Sequence, residues 1–190
     1  MNVILIGMPG CGKSTVGVLL AKALQLDFVD CDLVIQKTAK MGLQEIIDTK
    51  GIDEFLKIEE KVLCESSYSD TVVATGGSAV YYPAAMEHLK KDAITVYIKL
   101  PFEEIEKRLS NIKTRGVAMT NGQTLKGIYD ERSPLYEKYA DITVESFGPG
   151  VELTVEVRLA GAETAFVNDL KKISGVSDVT LVSYNGDYMA

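Results

Sequence analysis

The residues with the clearest chemistry follow a short apolar run. Gly7-Met-Pro-Gly-Cys-Gly12-Lys13-Ser14 fits the spacing G-x-x-x-x-G-K-[ST] and opens a stretch of helical period. Glycines let a backbone fold around a phosphate and point its N–H groups inward, where the positive end of the following helix adds to their field. Lys13 offers a mobile cation for the β- and γ-phosphates, and Ser14 places a hard hydroxyl oxygen where Mg²⁺ would sit. Gly10, Cys11, Gly12, Lys13, Ser14 and Thr15 are therefore the expected nucleotide-binding stretch, with ATP and Mg²⁺ as the implied cofactors. The loop alone does not separate an ATPase switch, a nucleotide kinase and a small-molecule kinase.

A second group of residues suits an acceptor. Asp30-Cys31-Asp32 ends an apolar segment, and alternation along an extended chain puts both carboxylates on one side at the carboxyl edge of a sheet. One of them, Asp30, could hold Mg²⁺ through water while Asp32 orients or deprotonates an acceptor hydroxyl. The plainer reading of Asp32 is a cap on the next helix. Thr71-Val-Val-Ala-Thr75 runs into Gly76-Gly77-Ser78, which offers bare backbone amides to a close-lying substrate, or simply makes a turn. Arg115 and Arg132 are the basic residues best placed for phosphoryl charge or an acceptor carboxylate, unless they are ordinary surface arginines.

Short apolar runs alternating with helical periods must position these groups, which is the pattern of βαβ units and a parallel sheet. Strands are expected at 2–6, 27–30, 71–75, 94–99 and 141–145. Helices are expected near 13–25, 32–39, 43–49, 53–67, 83–91, 102–110 and 123–138. The fold class is thus α/β, a five-stranded parallel sheet with helices on both faces. Residues 111–123 lack a clean period and contain two glycines, the profile of a lid carrying Arg115. Beyond Ser146 the style changes: Phe-Gly-Pro-Gly leads into the alternating run 151–159, a helical stretch at 162–173 and a further strand at 178–184. This gives two parts, 1–146 and a small β-α-β appendage at 150–190. The appendage is too small to stand alone, so packing on the sheet or homodimerisation by edge pairing is expected of it.

Composition removes several classes. Among 190 residues, 20 Lys and Arg face 27 Asp and Glu for a net charge of −7, which lacks the positive field a nucleic-acid partner needs. No basic leader, long apolar core or spanning segment appears, so a cytoplasmic protein without a membrane partner is expected. Cys11, Cys31 and Cys64 are widely spaced and fit neither a disulfide framework nor a zinc site. A low-pKa thiol at Cys11 or Cys31 would make the site sensitive to oxidation, with burial as the alternative for Cys31. His88 is the one histidine, in a mixed stretch that reads as a solvated helix.

Residues 1 to about 146 resemble the shikimate kinase family of P-loop, nucleoside-monophosphate-kinase-like proteins. The resemblance rests on Gly7 to Ser14, Phe28-Val-Asp30-Cys-Asp32, Ala74-Thr75-Gly76-Gly77, Arg115-Gly116, and Arg132-Ser-Pro-Leu-Tyr136 followed by Tyr139-Ala-Asp141. It implies transfer of the γ-phosphoryl group of ATP to a hydroxyl of shikimate, giving shikimate 3-phosphate for aromatic amino acid biosynthesis. It further implies that Lys13, Asp32 and Arg115 are catalytic and that Asp30 lies near Mg²⁺. Gly76, Gly77 and Ser78 would line the acceptor pocket, Arg132 would pair with the shikimate carboxylate, and Arg108 would flank the adenine. Two positions depart from the family. Leu56 stands where the family has a carboxylate-binding arginine, with Lys57 about 100° away around the helix, and Ser78 replaces a third glycine. The appendage has no family counterpart and looks like half of a ferredoxin-like or ACT-like unit. The alternatives are a P-loop kinase for another small hydroxylated metabolite and a non-catalytic nucleotide-binding regulator.

Overall fold

A computed structural model describes residues 1–110 and 122–145 of the chain. Arg115, with most of the lid segment, and the whole of 150–190, with the pairing expected of it, lie outside the described residues. The strands are β1 (Asn2–Ile6), β2 (Asp27–Asp30), β3 (Thr71–Ala74), β4 (Ala93–Lys99) and β5 (Ile142–Glu145). The helices are α1 (Lys13–Leu24), α2 (Cys31–Ala39), α3 (Leu43–Lys50), α4 (Ile52–Glu65), α5 (Pro83–Leu89), α6 (Phe102–Ser110) and α7 (Leu125–Tyr139). A single 3₁₀ turn, Ala79–Tyr81, follows β3 and was not foreseen from periodicity.

All five strands pair in parallel in the order β2-β3-β1-β4-β5. β1 is the centre. Leu5 lies beside Ala74 of β3 and Val96 of β4, and Ile4, Leu5 and Ile6 are fully buried, as a strand covered on both faces requires. Its register is pinned at the amino end, where the Asn2 side chain accepts from the Thr71 N–H at 3.1 Å and donates to the Tyr68 carbonyl at 2.9 Å. Asp141 ties down the other side by accepting from the Thr95 N–H at 2.8 Å and from Lys90 at 3.0 Å. A second, smaller core built on Ile35, Ile46, Phe55 and Val62 joins α2, α3 and α4, so these helices form a packed unit beside the sheet edge.

One boundary corrects the sequence reading. Helix α2 begins at Cys31, so Asp32 lies in its first turn and the strand alternation does not reach it. Asp30 is the capping residue: its Oδ1 accepts from the Asp32 N–H at 3.0 Å. The cap assigned to Asp32 as its plainer role thus belongs to Asp30.

Gly17 lets α1 lie close to β2. A Cβ there would sit 2.5 Å from Phe28 Cε2 and 3.2 Å from Leu5 Cδ1, too near for either neighbour to stay in place. Alanine gains about 1 kcal/mol of helix propensity, but overpacking costs roughly 1–3 kcal/mol. Gly17→Ala is expected to lower Tm by a few degrees in a thermal melt. An unchanged or higher Tm would show that Phe28 swings clear and that the contact does not constrain the fold.

Candidate active site

The loop between β1 and α1 takes its shape from three glycines with positive φ. They are Gly7 at 146°, Gly10 at 81° and Gly12, the N-cap of α1, at 100°. At Gly7 the requirement is also steric, since a Cβ would meet the Ile98 carbonyl oxygen at 2.6 Å. Lys13 is buried, and its ammonium donates to the Gly7 and Met8 carbonyls at 2.8 and 3.0 Å, so the cation sits inside the curve of the loop. Arg108 reaches from α6 to the Gly10 carbonyl at 3.4 Å, on the same loop. Ser14 borders the adjoining cleft, whereas Cys11 is buried under the loop and Thr15 is exposed on the far side of the first turn.

That cleft is open to solvent and holds a cavity of about 50 Å³. Gly10, Gly12, Lys13 and Ser14 form one wall, and Asp32, Gly76, Gly77, Ser78 and Arg132 form the other. Strand order explains the meeting, because β1 and β3 are neighbours and the loops leaving their carboxyl ends emerge side by side. Asp30 does not line the cleft, since its side chain is turned to the α2 cap. Among the described residues no three acids, histidines or cysteines gather into a metal cage.

Arg132 is 2 % exposed although it is a full cation. Its Nε donates to Tyr81 Oη at 3.1 Å, and its guanidinium lies 4.9 Å from the centre of the Tyr81 ring. One turn along α7, Tyr136 Oη donates to the Gly77 carbonyl at 2.6 Å, contacts Met8 Sδ at 3.9 Å, and stacks its ring on Tyr97 at 5.0 Å. Tyr136 therefore ties the glycine turn, the phosphate loop and the sheet together. Leu56 is packed among apolar side chains, and Lys57 is exposed beside Glu54 at 3.7 Å, so neither brings positive charge to the cleft.

Glu59 was not anticipated. It is fully buried on α4, where its Oε2 accepts from Ser78 Oγ at 2.6 Å and from Tyr82 Oη at 3.0 Å. Its Oε1 has no hydrogen-bond partner among the described residues. Burial pushes the Glu59 carboxyl up to about 7, against the lowering effect of the Ser78 and Tyr82 donors; Asp32 adds to the rise and Arg132 opposes it. Burial likewise raises the Cys31 thiol to about 12, with Tyr68 pulling down and Asp32, Asp30 and Glu59 pushing up. That is the opposite of an oxidation-prone thiolate at Cys31.

A family model described as shikimate kinase matches residues 9–155, a span that takes in both walls of the cleft. The chain belongs to the shikimate kinase family. Members similar to it include the shikimate kinase of Thiobacillus denitrificans, 35% identical over 148 residues, 76% of this chain and 81% of that protein. The shikimate kinase of Aquifex aeolicus is 35% identical over 161 residues, 84% of this chain and 95% of that protein. Among solved structures, shikimate kinase from Acinetobacter baumannii in complex with shikimate superposes with a TM-score of 0.71. It is 33% identical, with 77% of this chain and 84% of that one covered. Membership makes the chain a phosphotransferase that uses ATP as donor and an alcohol group as acceptor.

Of the residues expected from sequence to build a shikimate kinase site, the structure brings Gly10, Gly12, Lys13, Ser14, Asp32, Gly76, Gly77, Ser78 and Arg132 to one cleft. It sets Arg108 on the rim of the loop and leaves Cys11, Thr15 and Asp30 off the lining. No helix of the described residues is long and apolar enough to cross a membrane.

Proposed function

We propose that this chain transfers the γ-phosphoryl group of ATP to a hydroxyl of shikimate. The observation that carries the reading is the meeting, in one cleft of a shikimate kinase family member, of a phosphate loop and a wall that presents Asp32 and the buried guanidinium of Arg132. Phosphoryl transfer consists mostly of positioning and charge neutralisation, and the residues divide accordingly. Lys13 leaves its loop carbonyls for the phosphate oxygens, and the loop N–H groups with the α1 amino end hold the β-phosphate. Asp32 aligns the attacking hydroxyl and accepts its proton. Arg132 pairs with the acceptor carboxylate, next to the bare backbone of Gly76 and Gly77. Arg115 covers the transferred group, and Arg108 flanks the nucleotide base.

The donor set suits magnesium, which keeps several waters and takes few protein ligands. The Ser14 hydroxyl would hold it directly, and when bound it would neutralise phosphate charge; Asp30, engaged in the α2 cap and off the cleft lining, is not among its ligands. A cytoplasmic setting, where ATP is supplied, belongs to the same proposal.

The test is a coupled ADP-release assay with MgATP, with and without shikimate. Shikimate is expected to stimulate turnover many-fold over the water-dependent background. Equal ADP release in both arms would overturn the assignment of the acceptor.

A further inference from the structure

The buried carboxyl of Glu59 has no part in the phosphoryl transfer described above, yet it stands directly behind the acceptor wall. A Cβ on Gly76 would lie 2.0 Å from Glu59 Oε1 and 3.4 Å from Asp32 Oδ1, so the two acids face each other across a residue that has no side chain. Both of Glu59's donors, Ser78 and Tyr82, act on Oε2 alone, while Oε1 is buried and unpartnered. Leu56, one turn earlier on α4, offers no charge, and among the described residues Glu59 has no ion-pair partner. A buried carboxylate in such surroundings is poorly compensated and responds strongly to any charge placed beside it.

The groups facing Glu59 fix the sign of that response. From α2 come Asp32 and the protonated thiol of Cys31; from α7 comes Arg132; from the segment after β3 come Ser78 and Tyr82. Arg132 is the one cation in this set. When an acceptor carboxylate settles on Arg132, it cancels the positive field that favours ionised Glu59 and brings a further negative charge to the wall. Both effects favour a proton on Glu59.

We propose that Glu59 is a positioning residue whose protonation is linked to occupancy of the acceptor cleft: the chain takes up a proton at Glu59 as an anionic acceptor docks against Arg132. The proton comes from solvent and lands on Oε1, with no other bond made or broken, while Ser78 and Tyr82 keep donating to Oε2. Through these two hydrogen bonds the carboxyl also fixes the Gly76–Ser78 turn against α4, which is how it acts on the acceptor without touching it. The inference rests on an anionic acceptor, shikimate, and deepens that reading.

Two measurements test it. Titration calorimetry of shikimate binding at pH 7.5, in two buffers of different ionisation enthalpy, is expected to show uptake of a sizeable fraction of a proton by the wild-type chain and none by Glu59→Gln. Steady-state profiles are expected to show KM for shikimate rising above neutrality, with a limit of about tenfold per pH unit, while KM for ATP stays flat. In Glu59→Gln the rise disappears. In Ser78→Ala, which removes a donor from the ionised form, it moves to higher pH, and His88→Asn leaves it in place. If Glu59→Gln does not fold, the wild-type calorimetry and Ser78→Ala decide. No proton uptake by the wild-type chain, or a KM rise that survives in Glu59→Gln, overturns the inference while leaving the function intact. A chain that binds no shikimate at any pH overturns the proposed function as well.

Discussion

Lys13→Ala is expected to lower kcat for shikimate-dependent ADP release by at least about 10²- to 10³-fold, the usual effect of removing one preorganised donor from a developing anionic transition state. The ammonium lies within the loop at 2.8 and 3.0 Å from two carbonyls, so reaching the nucleotide requires exchange of those acceptors for phosphate oxygens rather than a search from solvent. Alanine leaves the Gly7 and Met8 carbonyls beside a cleft that water can fill, which limits the structural damage. Far-UV circular dichroism should therefore match the wild type, with a small change in Tm. A variant that kept more than about a tenth of the wild-type kcat would remove Lys13 from the transfer step. A variant that lost its dichroism would show instead that the lysine holds the loop together.

The second large effect is expected at Arg132. Its guanidinium is held by Tyr81 from two directions, through a 3.1 Å hydrogen bond that Nε donates to Tyr81 Oη and through the ring face, and Nη1 lies 3.2 Å from the point a Gly77 Cβ would occupy. Lysine keeps the charge but loses the planar fork, the hydrogen bond from Nε and the stacking. Arg132→Lys is expected to raise KM for shikimate roughly 10²-fold, in line with about 2–5 kcal/mol for breaking a buried charge-assisted pair. KM for ATP should stay within about twofold, because the nucleotide wall is built from β1 and α1. The check is a pair of saturation curves, one for each substrate. A parallel rise in both constants would mean that the cleft as a whole has collapsed, and an unchanged KM for shikimate would remove the carboxylate pairing.

The features legible in the sequence are those fixed by contiguous residues. The phosphate loop is a backbone device whose glycines, lysine and serine must be adjacent in the chain, so its text and its structure coincide. Buried parallel strands show as unbroken apolar runs, and four of the seven expected helices begin within a residue of the observed ones and end no more than one residue away. Asp32 was misplaced because alternation was carried two residues past the strand; the Asp30 cap starts α2 at Cys31. Glu59 was hidden for a different reason. In Phe55-Leu-Lys-Ile-Glu59-Glu60-Lys-Val62-Leu63 it reads as one of two solvated acids, and only the tertiary partners Ser78 and Tyr82 explain its burial. A signal was present: Glu59 shares with Phe55, Val62 and Leu63 the stripe that α4 turns inward, and an acid on an apolar stripe calls for a partner. Tyr136 was visible within a motif, but its link between Gly77 and Met8 joins residues 59 and 128 positions away and has no local signature.

The central place of β1 also governs the order in which the molecule can assemble. Asn2 to Ile6 lies between β3 and β4, and its partners on the β4 side run from Ala93 to Tyr97. The first and most apolar of the five described strands to be made therefore waits unpaired until more than half of the described chain has followed. Closing that pairing carries the loop entropy of the intervening segment. The phosphate loop hangs from the end of this strand, and its Gly7 is seated against the Ile98 carbonyl of β4. Nucleotide affinity is thus acquired late in biosynthesis, and an incomplete chain presents the loop's sequence without the seat that shapes it.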